Sequence, residues 1–113
     1  MLVYIAGPYR AEGPEAVAAN VARARDVAAQ LLREGYHVIC PHTMTHEMEH
    51  YQGLDDDTFL HNGLEQLRRC DAVVMLPGWQ SSHGSIEEHG SAMAWGTRIY
   101  EWPERPARQE DGQ

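Results

Sequence analysis

The chain has 113 residues and a mass of 12.8 kDa, a length that fits one domain with a modest core. Nine Lys+Arg stand against seventeen Asp+Glu, a net charge of −8. That balance disfavours non-specific binding of nucleic-acid polymers, which needs basic surface to displace counterions, but leaves open a small phosphorylated ligand. The longest apolar runs are about five residues, against roughly 20 for a membrane-crossing helix. Met1-Leu2-Val3-Tyr4 carries no basic leader, and two cysteines, Cys40 and Cys70, make no disulfide framework. A cytoplasmic protein with no membrane partner is expected.

Leu2-Val3-Tyr4-Ile5-Ala6 is an apolar run closed by Gly7-Pro8 and reads as a buried strand. Pro14 opens a helix. Val17, Val21, Ala24, Ala28 and Leu31 recur at spacings of four, three, four and three, which makes one helical face. Gly35 caps its C-terminus. Tyr36-His37-Val38-Ile39-Cys40 is a second strand, closed by Pro41. Asp55-Asp56-Asp57 precedes Leu60, Leu64 and Leu67, and Arg68-Arg69 follow, signs that suit a helix dipole. Gly63 inside that helix costs about 1 kcal/mol relative to Ala. Ala72-Val73-Val74-Met75-Leu76 is a third strand, ended by Pro77-Gly78. Asp71, at its start, reads as structural. A polar loop runs from Trp79 to about Gly84, then a helix to Trp95, then a short strand over residues 97–101. From Pro103 the chain is polar and expected to fray.

This alternation predicts an α/β fold, a Rossmann-like or flavodoxin-like three-layer sandwich with a four- to five-stranded parallel sheet. The domain is expected over residues 1–102, with a polar tail over 103–113. Ligands in such folds bind beyond the carboxyl ends of the strands. That edge holds Gly7-Pro8-Tyr9-Arg10, Pro41-His42 and residues 77–85.

Gly7-Pro8-Tyr9-Arg10 is neither a dinucleotide fingerprint nor a P-loop. It reads either as a tight turn or as a turn whose N–H groups and Arg10 face an anion. Ser81-Ser82-His83-Gly84-Ser85 enters a helix, so its hydroxyls either cap that helix or hold a phosphate. Glu87 and Glu88 are placed in its first turn, where the dipole favours acids and would keep Glu88 ionised. Ile86, Gly90 and Met93 form the face expected to meet the sheet. Glu88, Ala92 and Trp95 fall on another face, which suggests a second subunit. Trp79 either stacks on a base or covers the core. The cysteines read as buried small hydrophobes. His46-Glu47-Met48-Glu49-His50 matches H-E-x-x-H, which on a helix binds zinc with Glu47 as base and His42 as a third ligand. Its closeness to the preceding strand and to Gly53 argues against the long helix that such a site needs.

Taken together, several segments resemble the nucleoside 2-deoxyribosyltransferase-like superfamily, in particular a small bacterial and phage branch related to 2′-deoxynucleoside 5′-phosphate N-hydrolases. They are Val3-Tyr4-Ile5-Ala6-Gly7-Pro8-Tyr9, Asn20, Val38-Ile39-Cys40-Pro41-His42, Cys70 through Trp79, Ser82-x-Gly84 and Glu88-x-Gly90-x-Ala92. The resemblance covers residues 1–101. It implies cleavage of an N-glycosidic bond in a nucleoside or nucleoside 5′-monophosphate, by hydrolysis or deoxyribosyl transfer. Glu88 takes the place of the family's nucleophile and Tyr4 that of the tyrosine that positions it. Ser82 matches the serine that contacts phosphate in the nucleotide-hydrolysing members. Gly7, Tyr9, Arg10, His42, Trp79, Gly84 and Ser85 complete the expected substrate site. The family commonly has an Asp that helps handle the leaving base, at the position held here by Gly63; Asn62, His61 or Asp57 are the nearby substitutes, and His42 or His83 could also supply the proton. No cofactor or metal is implied, and the expected assembly is a homodimer or larger. The rival readings are a nucleotide-binding module without activity and a metal-dependent hydrolase using His46, Glu47 and His50.

Overall fold

The computed structural model describes residues 1–107. Side-chain alternation along the first strand, β1 (Leu2–Ala6), assigns its residues to two layers, because successive side chains point to opposite faces. Val3 and Ile5 join one core cluster with Val74 and Leu76; Tyr4 and Ala6 join the other with Val73 and Met75. Helix α1 (Pro14–Arg33) leads to β2 (His37–Ile39), a short α2 (Pro41–Met44) follows, and α3 (Asp56–Leu67) leads to β3 (Ala72–Met75). Helix α4 (His83–Trp95) leads to β4 (Arg98–Glu101). Single 3-10 turns stand at Met48–His50 and Trp79–Ser81.

The sheet has four strands in the order β2-β1-β3-β4, all parallel, so the expected fold class holds. The chain steps outward from β1 to β2 and then returns past β1 to β3. The order therefore reverses between β1 and β3, and a crevice opens beyond their carboxyl ends. At the opposite end, the Asp71 carboxylate accepts the Leu2 N–H at 2.7 Å and joins the starts of β1 and β3, the structural role expected of it.

Helix α1 covers the Val3 face with Ala24, Val27, Ala28 and Leu31, and its Val21 is buried as well. Its C-terminus is a Schellman turn: Gly35 lies at φ 97°, Tyr36 N–H bonds Leu31 O, and Gly35 N–H bonds Leu32 O. Helices α3 and α4 pack on each other, and their Leu67 and Ala92 join the Tyr4 cluster.

One helix cannot cover a face of four strands, and residues 102–106 fill the remainder. Trp102 packs against the Val3 cluster, Pro106 is fully buried, and the Pro106 carbonyl accepts a hydrogen bond from the Tyr36 hydroxyl. Arg105 pairs with Glu34 at 3.4 Å and lies over the Trp102 ring. The fraying expected from Pro103 is thus corrected for residues 103–106; residues 108–113 lie outside the described residues.

The expected orientation of α4 is also reversed. Ile86 and Met93 are 47% and 64% exposed, whereas Ala92 and Ser85 are buried. The face carrying Ser85, Glu88 and Ala92 meets the rest of the protein, and the supposed sheet face points outward.

Because residues 102–106 close a core cluster, a chain ended after Glu101 should lose about 2–4 kcal/mol of stability. Urea unfolding of the truncated and full chains measures this; equal midpoints would show the segment to be dispensable.

Candidate active site

Tyr4 sits in the centre of β1 between Ile39 and Val73, with no exposure. Its ring points to the α3–α4 face, and its hydroxyl donates to Glu88 Oε2 at 2.5 Å. Among the described residues nothing donates to Oε1. Ala92, one turn further along α4, is buried against the same cluster, which lets the helix approach the sheet closely.

The environment of Glu88 differs from the expected one. Helix α4 starts at His83, with Ser82 as its N-cap, so Glu88 stands in the second turn, beyond most of the dipole's reach. Desolvation dominates: burial pushes the Glu88 carboxyl up to about 7, with the Tyr4 hydrogen bond pulling the other way. Burial and the nearby Glu88 charge push the Tyr4 hydroxyl far above its ordinary range. Tyr4 is therefore a fixed donor.

These two side chains lie in a cavity of about 300 Å³ at the carboxyl edge of the sheet. The β1–α1 loop contributes Gly7, Tyr9 and Arg10; α2 and its C-cap contribute Pro41, His42 and Thr45. Helix α3 contributes Asp56, Asp57, Phe59 and Leu60, and residues 81–85 form the remaining wall. Nearly all the expected site residues are brought together here.

Each of them has a local role. A Cβ on Gly7 would lie 2.6 Å from Leu76 Cβ, so this turn needs glycine for packing against the residue that follows β3. The Tyr9 hydroxyl meets His46 Nδ1 at 3.0 Å, and its carbonyl accepts from Asn20 Nδ2 at 3.1 Å. Arg10 forms an exposed ion pair with Asp56 that links the β1–α1 loop to the start of α3. His42 is buried, and its Nε2 meets the Pro8 carbonyl at 2.9 Å. A carbonyl only accepts, so Nε2 carries the proton; burial lowers the His42 pKa and favours the neutral ring. Its Nδ1 is buried with no partner among the described residues. Ser82 Oγ accepts the Ser85 N–H at 3.4 Å, the capping role. Ser85 Oγ is buried and likewise unpartnered among the described residues. Gly84 needs no special space, since a Cβ there would meet nothing within 4 Å.

Trp79 is the exception. Its ring stacks on His89 at 4.3 Å and 17°, packs beside the Tyr4 cluster, and is not part of the cavity wall. The zinc motif is not helical either. Glu47 adopts φ 74°, a left-handed conformation that ends α-helical geometry between His46 and His50, and His46 is used to hold Tyr9. Among the described residues no three His, Cys, Asp or Glu side chains form a metal cluster.

Sequence reasoning missed Thr45, Asp56, Phe59 and Leu60 as wall residues. The signal was available. In a parallel sheet each crossover helix begins at the carboxyl edge, so the capped start of α3, where Asp55 accepts the Thr58 N–H, had to adjoin the same crevice as Gly7 and Ser82.

Over residues 1–101 the sequence matches the family described as a domain of unknown function, DUF4406. The chain belongs to this family. No curated protein matches the sequence. Among solved structures, the 2-deoxyribosyltransferase of Bacillus psychrosaccharolyticus matches with a TM-score of 0.63 and 19% identity, over 96% of this chain and 77% of that one. The 2-desoxiribosyltransferase of Leishmania mexicana matches with a TM-score of 0.62 and 20% identity, over 88% of this chain. This DUF4406 chain spans 62% of the Leishmania protein, under two thirds of its length. At such identities the likeness establishes a shared fold.

The Glu88 environment has a consequence for stability. The native carboxyl titrates near 7, against an ordinary value of 4.5. Between these values the native chain holds a proton that the unfolded chain has lost, so stability is greatest at the acid end of the window and falls as pH rises through it. The loss attributable to this group is about 3 kcal/mol. Urea unfolding from pH 4.5 to 7.5 should show that fall, and Glu88→Gln should flatten it; parallel curves for the two proteins would refute the assignment.

Proposed function

We propose that this DUF4406 chain cleaves the N-glycosidic bond of a nucleoside or nucleoside 5′-monophosphate, by hydrolysis or deoxyribosyl transfer. The observation that carries the reading is a half-buried carboxylate gripped by a tyrosine hydroxyl in a cavity at the reversal point of the sheet. The two solved relatives are deoxyribosyltransferases on the same fold, which supports that choice of chemistry.

The chemistry is that of a retaining glycosidase. Tyr4 occupies Oε2 and leaves Oε1 to attack the anomeric carbon. The new C–O bond forms as the C–N bond breaks, and the departing base takes its electron pair and a proton. Water or a second base then displaces the sugar from Glu88. Of the residues near Gly63, Asp57 lines the cavity, whereas His61 and Asn62 do not. His42 lines it too, but its ring proton is held by the Pro8 carbonyl. Asp57 and His83 remain as donors to the base. Phe59 and Leu60 offer the apolar wall that a base would pack on. The Ser85 hydroxyl, unpartnered among the described residues, Ser82 and the N–H groups at the start of α4 suit the 5′ end of the substrate. No cofactor is invoked. The reading includes a cytoplasmic homo-oligomer, with the exposed Ile86 and Met93 as the apolar surface to be covered.

Base release from a panel of nucleosides and their 5′-monophosphates, followed by chromatography, tests the reading. The unaltered chain should release free base, with or without a chelator. Glu88→Ala should reduce release by roughly 10³-fold or more, and Tyr4→Phe, which loosens the nucleophile, by about 10²-fold. A folded chain that releases no base from any substrate would be a nucleotide-binding module instead. Chelator-sensitive release would point to metal chemistry.

A further inference from the structure

Gly63 lies in the middle of α3, buried, where glycine is a poor helix former. Its surroundings explain why it is tolerated. A Cβ built there would stand 2.5 Å from the Tyr4 hydroxyl oxygen, 3.5 Å from Glu88 Oε2 and 3.8 Å from Tyr4 Cζ. The first distance is a collision; the other two are ordinary contacts. The obstacle cannot swing aside cheaply, because Tyr4 is fully buried and held between β2 and β3. A side chain at 63 would therefore push α3 away or drive the hydroxyl off the carboxylate.

We infer that Gly63 is a positioning residue: its missing side chain lets the α3 backbone close over the Tyr4 hydroxyl and hold that hydroxyl on Glu88. The role of the position is thereby inverted. With α3 this close to Tyr4 there is no room for even a Cβ, so in this chain position 63 serves the nucleophile rather than the leaving base. The catalytic part of the inference rests on Glu88 being the nucleophile; the packing part does not.

Four proteins decide it: the unaltered chain, Gly63→Ala, Tyr4→Phe and the double variant. Replacing glycine by alanine inside a helix ordinarily raises Tm. Here Gly63→Ala should lower Tm. In the Tyr4→Phe background the colliding oxygen is gone, the remaining neighbours are at contact distance, and the same substitution should raise Tm. If Gly63→Ala alone fails to fold, recovery of folding in the double variant is the same result.

The carboxyl of Glu88, followed by carbon-13 NMR, supplies a readout that mere packing would not move. The groups facing the cavity with it are Tyr4 from β1, Tyr9 and Arg10 from the following loop, His42 from α2, Asp56 and Asp57 from α3, and His83 from α4. Of these only Tyr4 bonds to Glu88, so its displacement in a folded Gly63→Ala chain should shift the Glu88 titration upward. Where the unaltered chain releases base, kcat should fall about tenfold or more with little change in KM, and the rising limb of its pH profile should move to higher pH. A higher Tm for Gly63→Ala in both backgrounds, an equal loss in both, failure of both chains carrying Gly63→Ala to fold, or an unmoved Glu88 titration would overturn the inference. Absence of base release from the unaltered chain would instead overturn the proposed activity, with the Tm and titration results still deciding the role of Gly63.

Discussion

The contact between the Tyr4 hydroxyl and the Glu88 carboxylate is the constraint around which this domain is arranged. A carboxylate taken out of water is costly unless it is hydrogen-bonded, and here a single donor, from the middle of the sheet, meets it. That donor can reach the carboxylate only if α4 turns its Glu88 face inward and lies close to β1. Ala92 permits the close approach, and Gly63 clears the space on the other side. The cost appears on the outside of α4, where Ile86 and Met93 face solvent. A helix oriented by apolar content alone would bury those two. The orientation of α4 thus follows the inward placement of Ser85, Glu88 and Ala92, not the burial of its two exposed apolar side chains.

The remainder of the cavity is held by polar contacts between loops rather than by core packing. Tyr9 is braced by His46 and Asn20, His42 is anchored on Pro8, and Arg10 spans to Asp56. These contacts join the β1–α1 loop to the α2 region and to the start of α3. The histidines that suggested a metal site thus hold the walls of a pocket. Two of the three candidate zinc-binding histidines, His42 and His46, flank the same tyrosine ring, at centroid distances of 5.8 and 6.0 Å.

Much of this was legible in the sequence because parallel α/β folds are written in apolar runs and punctuation. Gly7-Pro8, Gly35 and Pro77-Gly78 marked the ends of elements, and the position of each end placed the site edge. Tyr4 and Glu88 were legible from a family resemblance, but their environment was not: whether burial or the helix dipole governs Glu88 depends on where α4 starts and which way it turns. Periodicity misjudged that turn because it weighs side chains by hydrophobicity and cannot see a hydrogen bond to a residue 84 positions away. Residues 103–106 read as the start of a polar tail, yet with Trp102 they occupy the half-face that α1 leaves open. That demand is set by the sheet's width and cannot be read in the segment itself. Gly63 read as a defect in a helix until its neighbour in space was known.

The balance at Glu88 also suits the proposed chemistry. A nucleophilic carboxylate must be ionised to attack, yet a strongly stabilised anion is a weak nucleophile. Burial raises the proton affinity of Glu88 and so its intrinsic reactivity, while the Tyr4 hydrogen bond retains an appreciable ionised fraction near neutral pH. The bond engages one oxygen only, so the other keeps its electron density for the anomeric carbon. In the second step the same hydroxyl can stabilise the departing carboxylate without surrendering its own proton, since burial has placed its ionisation far out of range. A residue that only donates is well matched to both halves of a double displacement, in which the charge on Glu88 must disappear and then return.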